Sequence, residues 1–303
     1  FGVHPSHAFT SVETSPEYAD RPRLNVLKKA GVSRVSIGIQ SFQDEELKAI
    51  KRRPRQNTIY QALDDIRQMD FPYFNIDLIY GIKGQTVESF LYSLEEALRF
   101  QPNELFIYPL YVRQGTGITE REPDDVCFRM YRAACKLLQA KGFLQTSMRR
   151  FIHHPSTDAE VSCGDEVMLS CGSGGRSYLG DLHYATRYTV CQQCIAREID
   201  EYMATTDFTV ARNGFILSAK EQQQRFIIKN LMYYMGIDKA EYTRRFGEPL
   251  DRTPLFRQLA EQYWIEETPE RIRLTPEGLG YSDYIGQLFI TPEIRQLMET
   301  YSY

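Results

Sequence analysis

Three polar side chains stand at or near the ends of apolar segments that have the composition of buried strands. Glu13 follows the pair S-V, Gln40 follows I-G-I, and Asp77 lies inside N-I-D-L-I-Y. A carboxylate inside a buried strand is costly unless it is paired or contacts a ligand. The alternative is structural, with Asp77 capping a loop amide and Gln40 tying two strands together. The residue types and their spacing leave both interpretations open.

The elements around these residues alternate between strand and helix. The patterns predict strands at 7–12, 35–39, 74–79 and 105–110, and helices at 22–30, 44–51, 58–69 and 87–100. Gly31 stands where a C-cap glycine is expected. Short apolar strands separated by helices indicate parallel βαβ units in a barrel or a doubly wound sheet. In a parallel barrel, functional residues lie at the C-terminal ends of the strands.

The pattern changes after residue 150. A loop-like stretch and the glycine-rich segment C-G-S-G-G-R-S-Y (171–178) are followed by predicted helices at 219–234 and 239–246. The tail predicts two short strands and a helix, an arrangement typical of a winged helix. We therefore expect an α/β domain over 1–150, a glycine-rich connecting region over 151–215, and a mostly helical, winged-helix-like domain over 216–303.

Composition excludes some classes of function. The 303 residues are 42% hydrophobic and carry a formal net charge of −4, which does not favour a nucleic-acid partner or a membrane surface. No apolar run is long enough to span a bilayer. The six cysteines lie in a chain too long to need disulfide staples, so we expect reduced thiols and a cytoplasmic protein.

Several blocks resemble the coproporphyrinogen III oxidase-like radical SAM family. They are V-E-T-S-P-E (12–17), the segment from R-L-N-V-L-K-K-A-G to K-A-I-K-R-R (23–53), and N-I-D-L-I-Y-G-I-K-G-Q-T (75–86). The resemblance covers about 12–142 and continues more weakly through 171–178 to I-R-L-T-P-E-G-L (272–279). It implies a partial parallel (β/α) barrel of radical SAM type without its first strands. A mostly helical C-terminal domain with a winged-helix-like end would follow.

The resemblance also implies a site for S-adenosylmethionine (SAM). The residues that match the family's SAM contacts are Glu13, Gln40, Arg52 and Asp77, with Arg53 as a neighbour of Arg52 if the register slips. The strand that ends near Tyr111 would lend backbone contacts, and Gly172 and Gly174 would lie near the SAM and substrate cavity. A guanidinium suits the SAM carboxylate, whereas carboxylates suit its ammonium and ribose hydroxyls.

Radical SAM chemistry also needs a [4Fe-4S] cluster on a C-x-x-x-C-x-x-C loop. The cluster gives one electron to SAM, and the resulting 5′-deoxyadenosyl radical abstracts hydrogen from the substrate. The motif is absent from this sequence. We interpret this as N-terminal truncation, with the cluster ligands upstream of Phe1; a cluster-less relative is the alternative. The fragment alone is predicted to be inactive.

The resulting prediction is a radical SAM oxidoreductase-like enzyme with an unknown small-molecule substrate, possibly a tetrapyrrole, and a one-electron reductant protein as partner. The alternatives are a haem-binding chaperone and a non-catalytic relative. Cys163, Cys171, Cys191 and Cys194 are weak candidates for a second metal site and could equally be ordinary thiols. His183, after the glycine-rich segment, is a candidate substrate contact, and Tyr178 is a candidate cavity wall.

Overall fold

The computed structural model describes residues 8–53, 55–113, 115–153, 167–187, 189, 191–250 and 253–300. The chain divides into two compact units. The first comprises Phe1–Val112 and Ile118–Glu160, and the second comprises Arg113–Gly117 and Val161–Tyr303. Among the described residues, no helix combines the length and the apolar character needed to cross a membrane.

The first unit alternates strands and helices, as the sequence pattern predicts. Its elements run β1 (Ser11–Thr14), α1 (Arg21–Lys29), β2 (Arg34–Gln40), α2 (Asp44–Ala49), α3 (Gln56–Met69), β3 (Tyr73–Tyr80), α4 (Val87–Leu98) and β4 (Glu104–Pro109). The four strands pair in parallel in this order. The predicted parallel α/β fold is therefore confirmed, while residue 7, at the start of the first predicted strand, lies outside the described residues.

Three elements that the sequence analysis does not predict follow β4, and two of them are strands that complete this sheet. They are α5 (Asp124–Ala140), β5 (Leu144–Gln145) and β6 (Arg150–Ile152). β6 pairs antiparallel with β4, and β5 pairs antiparallel with β6, so the order is β1-β2-β3-β4-β6-β5. In the part of the chain that is described, the sheet is open, with β1 and β5 at its edges. Strands of two and three residues are too short to produce a recognisable alternation.

Local signals explain where the helices begin and end. The carboxylate of Asp20 accepts a hydrogen bond from the backbone N–H of Arg23 at 2.9 Å and caps α1. Gly31, just after α1, has φ +76°, so the predicted C-cap glycine is confirmed. Thr86 and Ser89 form a capping box at the start of α4, with side-chain-to-backbone bonds of 3.1 and 3.0 Å.

The two faces of the sheet differ in chemistry. One face carries buried apolar side chains that join the core of the unit, among them Val35, Ile37, Phe74, Ile76, Leu105 and Ile107. On the other face, Glu13 pairs with Ser36, Ser36 with Asn75, and Asn75 with Glu104. Paired residues of neighbouring parallel strands point to the same side. A polar row therefore crosses four strands, and we call this side the polar face.

The second unit contains two small sheets and seven helices among its described residues. Its elements are β7 (Val167–Met168), β8 (Arg176–Leu179), β9 (Leu182–Ala185), α6 (Gln192–Ala204), β10 (Gly214–Ile216), α7 (Ala219–Leu231), β11 (Ile237–Asp238), α8 (Lys239–Phe246), α9 (Pro254–Glu261), β12 (Ile265–Glu267), β13 (Arg271–Leu274), α10 (Pro276–Gly280), α11 (Ser282–Leu288) and α12 (Pro292–Thr300). One sheet has the order β10-β9-β8-β7 and the other β11-β13-β12.

The C-terminal predictions agree with the structure. The predicted helices at 219–234 and 239–246 correspond to α7 and α8, and the tail forms β12, β13 and α10. The antiparallel sheet of β7 to β10 is a new feature, because the glycine-rich segment indicated only a connection. Its strands have two to four residues, and tight turns at Gly172, Gly174 and Gly180 interrupt the pattern.

Candidate cofactor site on the polar face

The structure brings Glu13, Gln40 and Asp77 onto three adjacent parallel strands, β1, β2 and β3. Glu13 and Asp77 lie on the polar face, and the negative charge of Glu13 contributes to raising the pKa of Asp77. The two carboxylates therefore interact, although 64 positions separate them in the sequence. This juxtaposition is what a ligand with positive charge or several hydroxyl groups requires.

The pKa of Asp77 lies well above its ordinary value. Burial raises the pKa of Asp77 to about 6, and the charges of Glu13 and Glu104 act in the same direction. The hydrogen bond from Asn75 Nδ2 to Asp77 Oδ1, 2.7 Å long, and the guanidinium of Arg34 oppose the increase. A carboxyl group that titrates near neutral pH on a sheet face is typical of a functional site.

Gln40 has an unusual backbone. Its φ is +72°, in the left-handed region that favours glycine, and the register of β2 against β3 shifts between Gly38 and Gln40. A Cβ placed on Gly38 would lie 2.5 Å from Gln40 Nε2. The amide of Gln40 therefore folds back over Gly38, whose register partner in β3 is Asp77. The bulge explains how a residue at the end of a strand returns to the polar face.

An ion-pair network forms part of the polar face. The buried carboxylate of Glu104 contacts Arg34 Nε at 2.7 Å and also pairs with Arg150. Asn75 Nδ2 donates to Ser36 Oγ at 2.6 Å. The sequence analysis does not identify these residues. The alternation of polar and apolar types in R-V-S-I-G and in F-N-I-D-L is the signal that could have identified them.

Aromatic residues continue the polar face along β4. The rings of Phe106 and Tyr108 stack with centroids 5.6 Å apart. Burial raises the pKa of Tyr108, as do the charges of Asp77 and Glu13, so the phenol remains protonated near the carboxylates. Tyr111 follows β4 and is 45% exposed, and its hydroxyl accepts a hydrogen bond from Arg149 at 2.5 Å.

Arg52, Gly172 and Gly174 lie outside the three strands. Arg52 is exposed just after α2, and its backbone N–H donates to the carbonyl of Leu47 at 2.8 Å. No described contact joins its guanidinium to the three strand residues. Gly172 and Gly174 belong to the second unit, with φ values of +102° and +87°. Their N–H groups donate to Tyr202 Oη at 3.0 Å and to Thr186 Oγ1 at 2.7 Å, respectively.

The cysteines do not assemble into a metal site among the described residues. Cys191 and Cys194 form a disulfide at the start of α6, Cys171 is an exposed free thiol, and Cys163 lies outside the described residues. The expectation of reduced thiols is therefore wrong for Cys191 and Cys194, which face each other across one helical turn. No group of three or more His, Cys, Asp or Glu side chains in the described part could hold a metal ion.

The polar face fits one of the two cofactors implied by the resemblance. Two interacting carboxylates, a folded-back amide and flanking aromatic rings match the ammonium, hydroxyls and flat base of SAM. The described residues of this chain do not supply the ligands of a four-iron cluster. The sequence contains no C-x-x-x-C-x-x-C motif, and the described residues offer no alternative set of ligands.

Comparisons with known proteins support this assignment. The model of the radical SAM superfamily matches residues 4–97, and the model of the HemN C-terminal domain matches residues 217–280. Proteins of the radical SAM superfamily bind SAM and a [4Fe-4S] cluster. The first match includes all three strand residues of the candidate site. The second covers most of the small sheet and helices that end the second unit.

The similar proteins include both haem chaperones and oxygen-independent coproporphyrinogen III oxidases. The haem chaperone HemW of Bacillus subtilis (strain 168) is 26% identical over 295 residues, covering 92% of this chain and 76% of that protein. The oxygen-independent coproporphyrinogen III oxidase of Thermostichus vulcanus is 25% identical over 291 residues, covering 88% of this chain and 89% of that protein.

A solved structure agrees at the level of the fold. Coproporphyrinogen III oxidase (HemN) from Escherichia coli, a radical SAM enzyme, superimposes with a TM-score of 0.75 at 21% identity, covering 94% of this chain and 70% of that chain. This chain therefore carries a radical SAM domain and a HemN C-terminal domain, and it is homologous to the HemW haem chaperones and the oxygen-independent coproporphyrinogen III oxidases.

Proposed function

We propose that the polar face of the first unit binds SAM and that the protein uses SAM as a radical SAM oxidoreductase. The observation that carries the proposal is that Glu13, Gln40 and Asp77 lie on three adjacent strands. The pKa of Asp77 is raised to about 6 in this setting. Two neighbouring carboxylates repel each other, so a purely structural role does not explain why Glu13 lies close to Asp77.

The residues have distinct roles in this proposal. The carboxyl groups of Asp77 and Glu13 accept hydrogen bonds from the ammonium and ribose hydroxyls of SAM, and the side-chain amide of Gln40 hydrogen-bonds to a neighbouring polar group of SAM. Arg52, with Arg53 beside it, supplies a guanidinium for the carboxylate, and the backbone near Tyr111 contributes further contacts. When bound, a [4Fe-4S] cluster supplies the electron for SAM cleavage in proteins of this superfamily.

A SAM titration by isothermal calorimetry tests the binding proposal. We expect Asp77→Asn to weaken binding by about 10- to 100-fold, because a hydrogen bond to a charged group contributes about 1.5–3 kcal/mol. The matched control is Glu45→Gln, whose side chain is 85% exposed on α2, and it should leave the affinity unchanged. Equal affinities for the wild type and Asp77→Asn would refute the proposed site.

A haem carrier is the second candidate function, because the first relative described above is a haem chaperone. The substrate or cargo in either case would be a tetrapyrrole, the class that the names of both relatives indicate. For the product of the full reading frame, release of 5′-deoxyadenosine that depends on Asp77, after anaerobic incubation with iron, sulfide and a reductant, would support the oxidoreductase. Stoichiometric haem binding without SAM cleavage would support the carrier, and SAM binding with neither activity would support a non-catalytic relative.

A further inference from the structure

Two cysteines that the proposed function leaves unused stand at the start of α6. Cys191 is the N-cap residue of the helix, Cys194 lies three positions later, and a disulfide joins their sulfur atoms. Their Cα atoms are 5.3 Å apart, within the range that disulfides span. The segment that contains them, C-Q-Q-C (191–194), has the C-x-x-C spacing of thiol–disulfide oxidoreductases. The pair therefore has the spacing of a reactive disulfide.

This disulfide contributes little to holding the fold together. It closes a loop that runs only from residue 191 to residue 194, and a cross-link removes the least entropy from the unfolded chain when its loop is short. The first turn of α6 already holds the two positions next to each other. α6 also has no buried residue, so the bond does not fasten the helix into a core. A structural role therefore does not account for the pair.

The start of α6 is suited to stabilise a thiolate on Cys191. Cys191 Sγ accepts a hydrogen bond from the backbone N–H of Cys194 at 3.2 Å. The N-terminal end of a helix carries partial positive charge, and its N–H groups favour an anion there. The first turn of α6 contains no acidic residue, and the first one along the helix, Glu198, contacts Arg187 at 4.0 Å. No carboxylate in the first turn therefore opposes a negative charge on Cys191.

The pair is accessible to a reactant. Cys191 and Cys194 are half-buried, and the two glutamines between them are exposed. Reactive cysteines are partly exposed and lie in electropositive surroundings, whereas cysteines buried in a core are inert. The environment of the pair is therefore that of reactive cysteines.

A cavity of about 1150 Å³ in the second unit borders the same turn of α6. Tyr178 and His183 of the sheet β7 to β10 line it. Thr189 and Ile195, which lie on either side of the C-Q-Q-C segment in the chain, line it as well. The cavity therefore leaves space beside the first turn of α6 for a small molecule.

We propose that the Cys191–Cys194 disulfide undergoes reversible exchange with low-molecular-weight thiols, so that α6 begins with a redox-active cysteine pair. The thiolate of one thiol molecule attacks Cys194 Sγ, the S–S bond breaks, and its electron pair leaves on Cys191 Sγ. We assign the attack to Cys194 because a better-stabilised thiolate leaves faster, and the helix N-terminus stabilises Cys191.

A second thiol molecule completes the reaction. Its thiolate attacks the sulfur of the first molecule in the mixed disulfide, and Cys194 leaves as a thiolate. The protein disulfide gains two electrons and two protons, and the two thiol molecules are oxidised to one disulfide. The proposal does not depend on SAM binding, because both cysteines belong to the second unit.

Equilibration with glutathione tests the proposal on the unaltered protein. The protein is incubated at pH 7 in mixtures of reduced and oxidised glutathione and quenched with acid, and free thiols are alkylated and mapped by mass spectrometry. We expect one two-electron transition between disulfide and dithiol, identical when approached from either state, with an unchanged circular dichroism spectrum. A pair that stays oxidised in excess reduced glutathione, or stays reduced in excess oxidised glutathione, would overturn the proposal. Unfolding of the protein on reduction would also overturn it.

Single serine variants test the direction of the exchange. Cys194→Ser leaves Cys191 as the reactive thiol, and Cys191→Ser leaves Cys194. With oxidised glutathione at pH 7, Cys191 should form its mixed disulfide about fivefold faster than Cys194, because the thiolate is the nucleophile. Equal rates would contradict the assignment of Cys191 as the stabilised thiolate.

The matched control is Cys171→Ser. Cys171 is an exposed free thiol, and the next residue, Gly172, donates its N–H to Tyr202 Oη near the other end of α6. This variant should keep the glutathione equilibrium of the wild type. A shifted equilibrium would show that the exchange is not confined to Cys191 and Cys194 and would contradict the proposal.

Discussion

The side-chain amide of Gln40 occupies the space that a Cβ on Gly38 would fill, with only 2.5 Å between that Cβ position and Gln40 Nε2. The left-handed backbone of Gln40 and the register shift after Gly38 produce this close approach. Glycine at position 38 therefore determines where the amide of Gln40 lies, next to the strand position that pairs with Asp77.

Gly38→Ala should displace the amide of Gln40 and weaken SAM binding by about three- to tenfold, because one neutral hydrogen bond contributes about 0.5–1.5 kcal/mol. The free energy of unfolding should change little, since the displaced atom is the end of a flexible side chain. Calorimetric titration measures the affinity, and thermal unfolding measures the stability. In a Gln40→Ala background, Gly38→Ala should have no further effect on affinity, and additive losses would contradict the relationship.

The affinity for SAM should depend on pH through Asp77. The pKa of Asp77 is about 6 in the free protein, and the cationic groups of SAM favour its ionised form. Binding should therefore be strongest above pH 7 and weaken by about tenfold for each pH unit below the pKa. Titrations between pH 5 and pH 8 test this, with Asp77→Asn as the control that lacks the group. A wild-type profile as flat as that of Asp77→Asn would exclude Asp77 as a contact of the cation.

The ion pairs of Glu104 should be essential to the stability of the first unit. Glu104→Gln leaves the guanidinium groups of Arg34 and Arg150 without their shared carboxylate, and we expect a loss of about 3 kcal/mol in the free energy of unfolding. The control is Glu120→Gln, whose carboxylate is 67% exposed and 3.6 Å from Lys83, with an expected change within about 0.5 kcal/mol. Urea unfolding at pH 7 compares the two, and similar losses would disprove the importance of the buried network.

A backbone contact constrains the winged-helix-like end of the second unit. A Cβ on Gly278 would lie 2.0 Å from the carbonyl oxygen of Trp264, so Gly278→Ala should destabilise this end by about 3 kcal/mol. Gly286, in α11, has open space around its Cβ position, and Gly286→Ala should be neutral or stabilising by up to about 1 kcal/mol. Thermal unfolding and amide exchange in α10 and β12 measure the difference. An equal stability of the two variants would show that the backbone adjusts without cost.

Local patterns were sufficient for most of the elements and part of the site. Residues close together in the chain determine the alternation of strand and helix, the glycine that ends α1 and the positions of polar residues at strand ends. These features could therefore be predicted from local sequence patterns. The two- and three-residue strands β5, β6 and β7 were not predicted, because so few residues do not establish a period.

The sequence by itself determined that the first strands are parallel, and it identified polar residues at their ends as candidates for a cofactor site. Only the tertiary structure decided that Glu104 joins Arg34 and Arg150 on the polar face, because Glu104 is 70 positions from Arg34 and 46 from Arg150, and their contact depends on strand order. The fold-back of Gln40 required the bulge in β2, and the cavity in the second unit required β8, β9 and β10 to meet α6, α7 and α12. Such arrangements follow from packing between distant segments, which no local pattern of residue types encodes.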